Sequence, residues 1–372
     1  MIYLDNAATT KIDTAVKEVM LPFYEEEFGN PSTFYALGGK AKKALRNSRE
    51  VIATAIGAAF DEIFFTSGGT ESDNWAIIGT ADMLSSKGKH IITSAIEHHA
   101  VLDTCKYLEE KGFEITYLPV DKNGIVNPKD VEKAIRNDTI LISVMMANNE
   151  IGTIEPIAEI GKVAHEKGVF LHTDAVQAFG HIPIDVNEMN IDMMSVSGHK
   201  IYGPKGIGFL YIRNGIKMGA FIHGGGQERG RRSGTENVPG IVGLSKATEI
   251  AITCMESEKN KISALKEHLK NRLIREIPGS YVNGDSNSLP GILNVCFKDK
   301  ASETALIMLD MQGIYCSAGS ACATGSLENS HVLEAIGLSN EDAQRCLRFS
   351  IGRFNTADEI DQVVEALKKI YL

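Results

Sequence analysis

The 372-residue chain has no apolar run approaching the roughly 18 residues that a membrane span requires. Its richest stretch, VIATAIGAAF at 51–60, is short and broken by a threonine. It also has no excess of positive charge: 38 basic and 48 acidic side chains give a formal net charge of −10. That argues against a broad electrostatic grip on nucleic acid or on an anionic membrane. The six cysteines, at 105, 254, 296, 316, 322 and 346, contain no CxxC pair, which argues against structural zinc, and they are too few for a disulfide framework. The opening MIYLDNAATTKID has no basic leader and reaches Asp5 at once, so a cytoplasmic protein with reduced thiols is expected rather than a secreted one. No internal repeat or low-complexity linker interrupts the chain. The remaining composition, 43% apolar and 23% charged, is that of a folded globular protein long enough for two domains.

Short apolar runs alternate with amphipathic stretches. EIFFTSG (62–68), KHIITSA (89–95), FEITYLP (113–119), TILISVMMA (139–147), GVFLHTDA (168–175) and IDMMSVSGHK (191–200) read as strands. Helices are expected at 70–87, 98–111, 128–136 and 156–167, with Pro128 and Pro156 at first turns. This alternation predicts an α/β fold with a mostly parallel sheet buried on both faces, which explains apolar runs that are continuous rather than alternating. A long helix over about 241–277 leads to a second set of elements. GILNVCF (291–297) and CLRFSIG (346–352) read as strands, and 301–312, 328–337 and 356–370 as helices.

Ligands of open α/β sheets bind beyond the carboxyl ends of the strands. The residues there are SGGTES, EHH, ANNE, HTDAVQ and SGHK. SGGTESDN (67–74) suits an anion at a helix N-terminus, or simply a capped tight turn. Asp174, ending an apolar strand, needs a cation or strong donor if buried, and is otherwise a helix cap. Lys200, before a Gly-rich turn, suits a Schiff-base lysine or an exposed loop lysine. EHH (97–99) offers an imidazole to stack on a flat cofactor or move protons, or a surface histidine. HGGGQERGRRSGTEN (223–237) reads as a basic loop able to wrap an anion, or as a solvated turn. Arg348 in LRFSIGRF suits a carboxylate clamp or a structural ion pair. IYCSAGSACATGS (314–326) places two thiols among Ser, Ala and Gly, with nothing bulky to build a core.

Taken in order, these motifs resemble the cysteine desulfurases, pyridoxal-phosphate (PLP) enzymes of the class V aminotransferase fold. The resemblance runs from YLDNAATT (3–10) to IGRFNT (351–356), and SGHKIYGPKG, RSGTEN and GSAC are its most specific parts. It implies the type I PLP-dependent transferase fold. A large domain over 15–245 carries a mostly parallel seven-stranded sheet. A smaller α/β domain comprises 1–14 and 246–372, with a mobile cysteine loop at about 316–330.

The resemblance also implies roles. Lys200 holds PLP, Asp174 pairs with its ring nitrogen, Gln177 lies near its phenolic oxygen, and His98 rather than His99 stacks on the ring. Gly69, Thr70, Ser197 and His199 hold the phosphate, with Thr235 donated by the second subunit of a homodimer. Asn149 lies beside cofactor and substrate, and Arg348 clamps the carboxylate of L-cysteine. Cys322 takes the sulfur as a persulfide and leaves alanine, its small neighbours permitting travel. It also stands as a transient ligand to an iron–sulfur cluster; no resident metal is expected. Lys200, Cys322 and His98 form the catalytic set. Cys316 reads as a packed small residue, with a relay thiol as the alternative. The acceptor of the sulfur is an iron–sulfur scaffold or a tRNA-thiolation enzyme, and neither nucleic acid nor membrane is bound directly. The chain departs from some members in ending soon after its last helix, without their longer tail, and in having a cysteine at 316. Selenocysteine lyase, or another PLP enzyme of this fold, is the competing reading. A PLP-fold protein without catalysis, or a metal module built on Cys316, Cys322 and a histidine, explains fewer of the motifs.

Overall fold

The computed structural model describes residues 1–298, 300–318 and 330–372. Its strands are β1 (Ile2–Tyr3), β2 (Ile63–Thr66), β3 (His90–Ser94), β4 (Glu114–Leu118), β5 (Thr139–Ser143), β6 (Phe170–Asp174), β7 (Met193–Ser197), β8 (Gly208–Ile212), β9 (Tyr281–Asn283), β10 (Ile292–Cys296), β11 (Ile314–Tyr315) and β12 (Cys346–Ser350). Its helices are α1 (Thr14–Met20), α2 (Pro22–Glu25), α3 (Ala36–Ala55), α4 (Gly69–Leu84), α5 (His99–Glu110), α6 (Pro128–Ala134), α7 (Ile157–Lys167), α8 (Val238–Glu276), α9 (Ser302–Asp310), α10 (His331–Ala335), α11 (Asn340–Ala343) and α12 (Ala357–Tyr371).

A seven-stranded sheet runs in the order β2-β8-β7-β6-β5-β3-β4. Only β8 is antiparallel to its neighbours, so the sheet is mostly parallel, as expected. Strands β2, β3, β5, β7 and β8 are buried throughout. Edge strand β4 is not, and its sequence EITYL is correspondingly more polar. The six strands read from this half of the sequence are present. Strand β8 (GFLYI) was not anticipated, because the glycines of SGHKIYGPKG read as the end of order rather than as a turn into another strand. Helix α3 was also missed. Its buried stripe of Ala41, Leu45, Ile52 and Ala53 is interrupted by buried Ser48 and Arg49, which weakens the apolar period.

The smaller sheet, β12-β10-β9, is antiparallel, and β1 pairs in parallel with β11 beside it. Helix α8 serves both cores. Val238, Ile241, Leu244, Ala247 and Ala251 enter the core of the large sheet. Ile262, Leu265, Leu269 and Leu273 pack with Leu293, Val295, Phe297, Leu347 and Phe349. Each fully buried side chain of this kind contributes about 1.5–3 kcal/mol. By length and composition α8 is apolar enough to cross a membrane; here its apolar residues are shared between two protein cores.

One buried ion pair ties the loop after β8 to the edge of the sheet. The Arg49 Nη2 and Nη1 groups donate to Glu228 Oε1 at 2.6 Å and Oε2 at 2.8 Å, and the Phe65 amide also donates to Oε2 at 2.9 Å. The guanidinium lies 4.5 Å over the Phe65 ring. Removing one member leaves a buried unpaired charge, so Glu228→Ala should cost about 3–5 kcal/mol in urea denaturation. The Arg49→Met, Glu228→Leu double variant should cost less than the sum of the two single changes.

Candidate active site

The loops leaving the carboxyl ends of β2, β3, β5, β6 and β7 converge on one cavity of about 290 Å³. Gly69, Thr70, His98, Asn149, Asp174, Gln177, Ser197, His199, Lys200 and Arg348 all line it. Thus ten of the residues singled out from the sequence, scattered over 280 positions, stand together. Two do not. Thr235 lines a separate cavity of about 200 Å³ with Arg232, Glu236 and Asn237. Cys322 lies outside the described residues.

Asp174 ends β6 and is only 6% exposed. Its Oδ1 accepts from the Val176 amide at 2.8 Å. Burial pushes its carboxyl above the ordinary range, while His98 and Lys200 pull the other way. Such a group seeks a cation or strong donor. Lys200 follows β7 in the short turn Gly198–Lys200, and its Nζ donates to the carbonyl oxygens of Ala7 and, at 2.9 Å, Ala8. Gln177 Nε2 donates to the same Ala7 carbonyl at 2.8 Å. His98 caps α5: its Nδ1 accepts from the Ala100 amide at 3.1 Å, so the proton of the neutral ring sits on Nε2. Burial lowers its pKa; Asp174 opposes this, and Lys200, His99 and His331 reinforce it. His99 faces an outer groove that His98 also borders, not the cavity.

One end of the cavity is built for an anion. Helix α4 begins at Gly69, and its N-terminal dipole and free amides favour negative charge. A Cβ at Gly69 would stand 2.6 Å from Val176 Cγ2, so only glycine lets this turn approach the β6 loop. Ser197 and His199 lie opposite, and with Lys205 and Thr9 they line an adjoining opening. His199 Nδ1 lies 3.1 Å from Thr9 Oγ1, and burial, with Lys200 and Lys205, lowers its pKa to about 4, so it is neutral at pH 7. Glu71, in the first turn of α4, would repel an anion if uncompensated. Arg232 answers it through Nε at 2.7 Å and Nη2 at 3.1 Å. Burial disfavours the Glu71 charge, but Arg232 and Ser67 outweigh that and hold its carboxyl below the usual range.

The opposite end presents a guanidinium. Arg348 on β12 is 1% exposed. Its Nη2 donates to Asp5 Oδ1 at 2.8 Å and its Nη1 to the Asn149 carbonyl at 3.0 Å, while Nε has no hydrogen-bond partner among the described residues. The guanidinium is therefore held in place by two contacts and still has donors to offer. Asn149 acts through its backbone here. Asn148 is structural: its side chain accepts from the amides of Glu150 and Ile151.

The chain on either side of 319–329 meets this same region. Ser317 forms a two-way backbone bridge with Arg348 at 3.1 and 2.6 Å. Ser330 Oγ donates to buried Glu150 at 2.5 Å, and His331 Nε2 lies 2.9 Å from the Glu97 carbonyl. Cys316 packs against the small-sheet core, and burial pushes its thiol up to about 12, with Asp5 adding to the shift and Arg348 opposing it. That Ala7 and Ala8 serve through their carbonyls was not legible beforehand, because backbone acceptors carry no residue signature. Asp5 and Asp73 were missed for another reason: each lies inside a motif quoted for its neighbours.

The chain's likeness to known proteins agrees with this geometry. A model of the family described as aminotransferase class-V matches residues 2–363. The chain is 54% identical over 370 residues to cysteine desulfurase IscS of Methanosarcina thermophila, covering 99% of this chain and 91% of that one. Over 372 residues it is 54% identical to cysteine desulfurase IscS of Clostridium botulinum, covering 99% and 94%. Among solved structures, a NifS-like protein superposes with a TM-score of 0.94 at 40% identity, covering 99% of this chain and 98% of that one. SspA in complex with cysteine superposes with a TM-score of 0.85 at 41% identity, covering 96% and 100%.

The anion seat can be tested alone. Gly69→Ala should weaken binding of pyridoxal phosphate by about tenfold or more, about 1.4 kcal/mol, in equilibrium dialysis, because the new methyl must displace Val176.

Proposed function

The chain belongs to the cysteine desulfurase family of class-V aminotransferase enzymes, and we propose from that premise that its cavity holds pyridoxal phosphate and L-cysteine in the roles set out here. The family's chemistry takes sulfur from L-cysteine and leaves L-alanine. The observation that carries the assignment is one cavity with an anion seat at Gly69–Thr70, a dry carboxylate at Asp174, an amine at Lys200 and a guanidinium at Arg348. The fit to the cofactor is specific. Its phosphate matches the α4 N-terminus, and a protonated ring nitrogen would give buried Asp174 a donor beyond the Val176 amide. Ser197 and His199 flank the phosphate seat, and Gln177 stands beside Asp174 for the ring oxygen.

When bound, pyridoxal phosphate supplies an electron sink for the amino acid's Cα and activates the substrate sulfur toward attack. Arg348 receives the substrate carboxylate, oriented by Asp5 and Asn149. Asp174 keeps the ring nitrogen protonated. Lys200 Nζ removes the Cα proton and returns protons on the product side. His98, with its proton on Nε2, lines the cavity where it would stack on the bound ring and offer a second proton donor. The Cys322 thiolate attacks the substrate sulfur; the S–S bond forms as the C–S bond breaks, and the carbon takes up a proton to become the alanine methyl. The sulfur then passes to an acceptor, an iron–sulfur scaffold or a tRNA-thiolation enzyme. Free thiols at Cys105, Cys254, Cys296, Cys316 and Cys346 support a reducing, cytoplasmic setting.

The active form is a homodimer in this reading. Thr235 stands apart from its own chain's cavity, as suits a residue given to a partner's phosphate. Tyr24, Phe28, Phe34 and Tyr35 are exposed near one another in sequence, Phe34 completely, as suits a surface that a second copy of the chain would cover.

Peptide mass spectrometry after brief exposure to L-cysteine without reductant tests the central claim. Extra sulfur on the Cys322 peptide with matching alanine is expected; alanine without sulfur there overturns the nucleophile assignment. Cys316→Ala should leave both products within about twofold of wild type, because a thiol held near 12 is a poor nucleophile at neutral pH. Phe34→Asp should shift sedimentation toward monomer and lower cofactor retention together; a monomer with undiminished retention would show that Thr235 serves no partner.

A further inference from the structure

Tyr202 stands two residues beyond Lys200, buried, with a backbone φ of +63°. That left-handed conformation is strained for a bulky side chain and persists only where the surroundings impose it. Glycine would adopt it freely, so the side chain must contribute something that glycine lacks. Its hydroxyl accepts from the Arg353 amide at 2.7 Å. The Arg353 guanidinium lies 4.0 Å over its ring, and the Phe354 ring meets it edge-on at 5.5 Å. A Cβ at Gly352 would collide with the same hydroxyl, so the chain passes Tyr202 only as glycine there. The backbone of Tyr202 is held as well. Its amide donates to Thr10 Oγ1 at 2.9 Å, and its carbonyl accepts from the Asp13 amide at 2.9 Å. Thr10 Oγ1 in turn donates to the His199 carbonyl at 2.8 Å.

Three segments therefore meet at one residue. The Lys200 turn comes from the large sheet, Thr10 and Asp13 from the N-terminal stretch, and Arg353 and Phe354 from the exit of β12, which carries Arg348. The tip of Lys200 is referred to the same strand: Ala7, whose carbonyl accepts from Nζ, donates its amide to Ser350 Oγ on β12 at 2.9 Å. The amine is thus registered against β12 twice, at its tip through Ala7 and at its root through Tyr202. Neither Tyr202 nor Thr10 lines the main cavity. Both line, with Lys200, a separate small one of about 40 Å³.

An α-amino acid sets the tolerance of this arrangement. Its Cα, where Lys200 acts, and its carboxylate carbon, which Arg348 receives, are directly bonded to each other. A displacement of about 1 Å between the two protein groups can then cost about 100-fold in rate. We propose that Tyr202 is a positioning residue that holds the Lys200 turn in register with the strand bearing Arg348. This rests on the reading of Lys200 as the group that moves the Cα proton and of Arg348 as the carboxylate clamp.

The test is exchange of the Cα hydrogen of saturating L-alanine in D2O, followed by NMR on the full chain with excess pyridoxal phosphate, which needs no step at Cys322. Acetylation of Lys200 in the cofactor-free chain, read by peptide mass spectrometry against exposed Lys129, is measured beside it. Tyr202→Phe removes only the hydroxyl; Thr10→Val removes the tie to the Tyr202 amide, and Thr10→Ser keeps it. Tyr202→Phe and Thr10→Val should each slow exchange by about tenfold or more and speed Lys200 acetylation by about threefold or more, with Thr10→Ser within about twofold of wild type. Exchange within about threefold of wild type in both variants, or slower exchange with unaltered acetylation, would overturn the proposal. If Tyr202→Phe does not fold, the Thr10 pair decides alone. Lys200→Ala separates the two readings: exchange at the wild-type rate in that variant would remove the role given to Lys200, whereas a silent Lys200→Ala beside an unimpaired Tyr202→Phe and Thr10→Val would overturn only the positioning role.

Discussion

A carboxylate kept almost out of water at the end of β6 sets the terms for the site. Isolated, a buried ionised carboxylate is very costly, so the fold must answer Asp174 with donors, with a cation or with a proton. It does so in layers. The Val176 amide satisfies one oxygen. His98 and Lys200 favour the charge from either side. The remaining demand is met by the ring nitrogen in the proposed function. The same cost explains why Glu97, also buried, has its carboxyl raised to about 8 despite bonds from Ser94 and the Met145 amide. The region tolerates one buried negative charge opposite a ligand and drives its neighbours toward neutrality.

Much of this was legible in the sequence for a simple reason. In a parallel sheet the polar residues that end apolar strands all gather at one edge, so SGGTES, EHH, HTDAVQ and SGHK group together from the strand pattern alone. What escaped had other causes. Strand β8 follows a glycine-rich turn, and α3 has an arginine and a serine within its buried stripe. Asp5 orients Arg348 from 343 residues away, a pairing no local pattern contains. Ala7 and Ala8 act only through carbonyl oxygens. Thr235 was expected to serve another subunit, and one chain by itself leaves it away from the cavity. The placement of Cys322 falls outside the described residues, so its role rests on the GSAC motif and on the family.

The two ends of the cavity come from different parts of the molecule. The N-terminus of α4 belongs to the large sheet and its helices, whereas Arg348 rides on β12 of the small sheet. Helix α8, packed into both cores, fixes the spacing between them. Small changes in that helix would therefore alter the distance between Gly69 and Arg348 without touching either.

The pairing of Asp5 with Arg348 has a consequence for biosynthesis. The residues that hold Lys200 and orient the clamp leave the ribosome first, while β12 leaves near the end. Their contact, across 343 positions, cannot form until almost all of the chain has been translated. The large sheet can condense during synthesis, but the clamp has no aspartate-bound arginine until late. A nascent or prematurely terminated chain lacking residue 348 therefore cannot form this contact, and that wall of the cavity is completed only when the molecule is nearly whole.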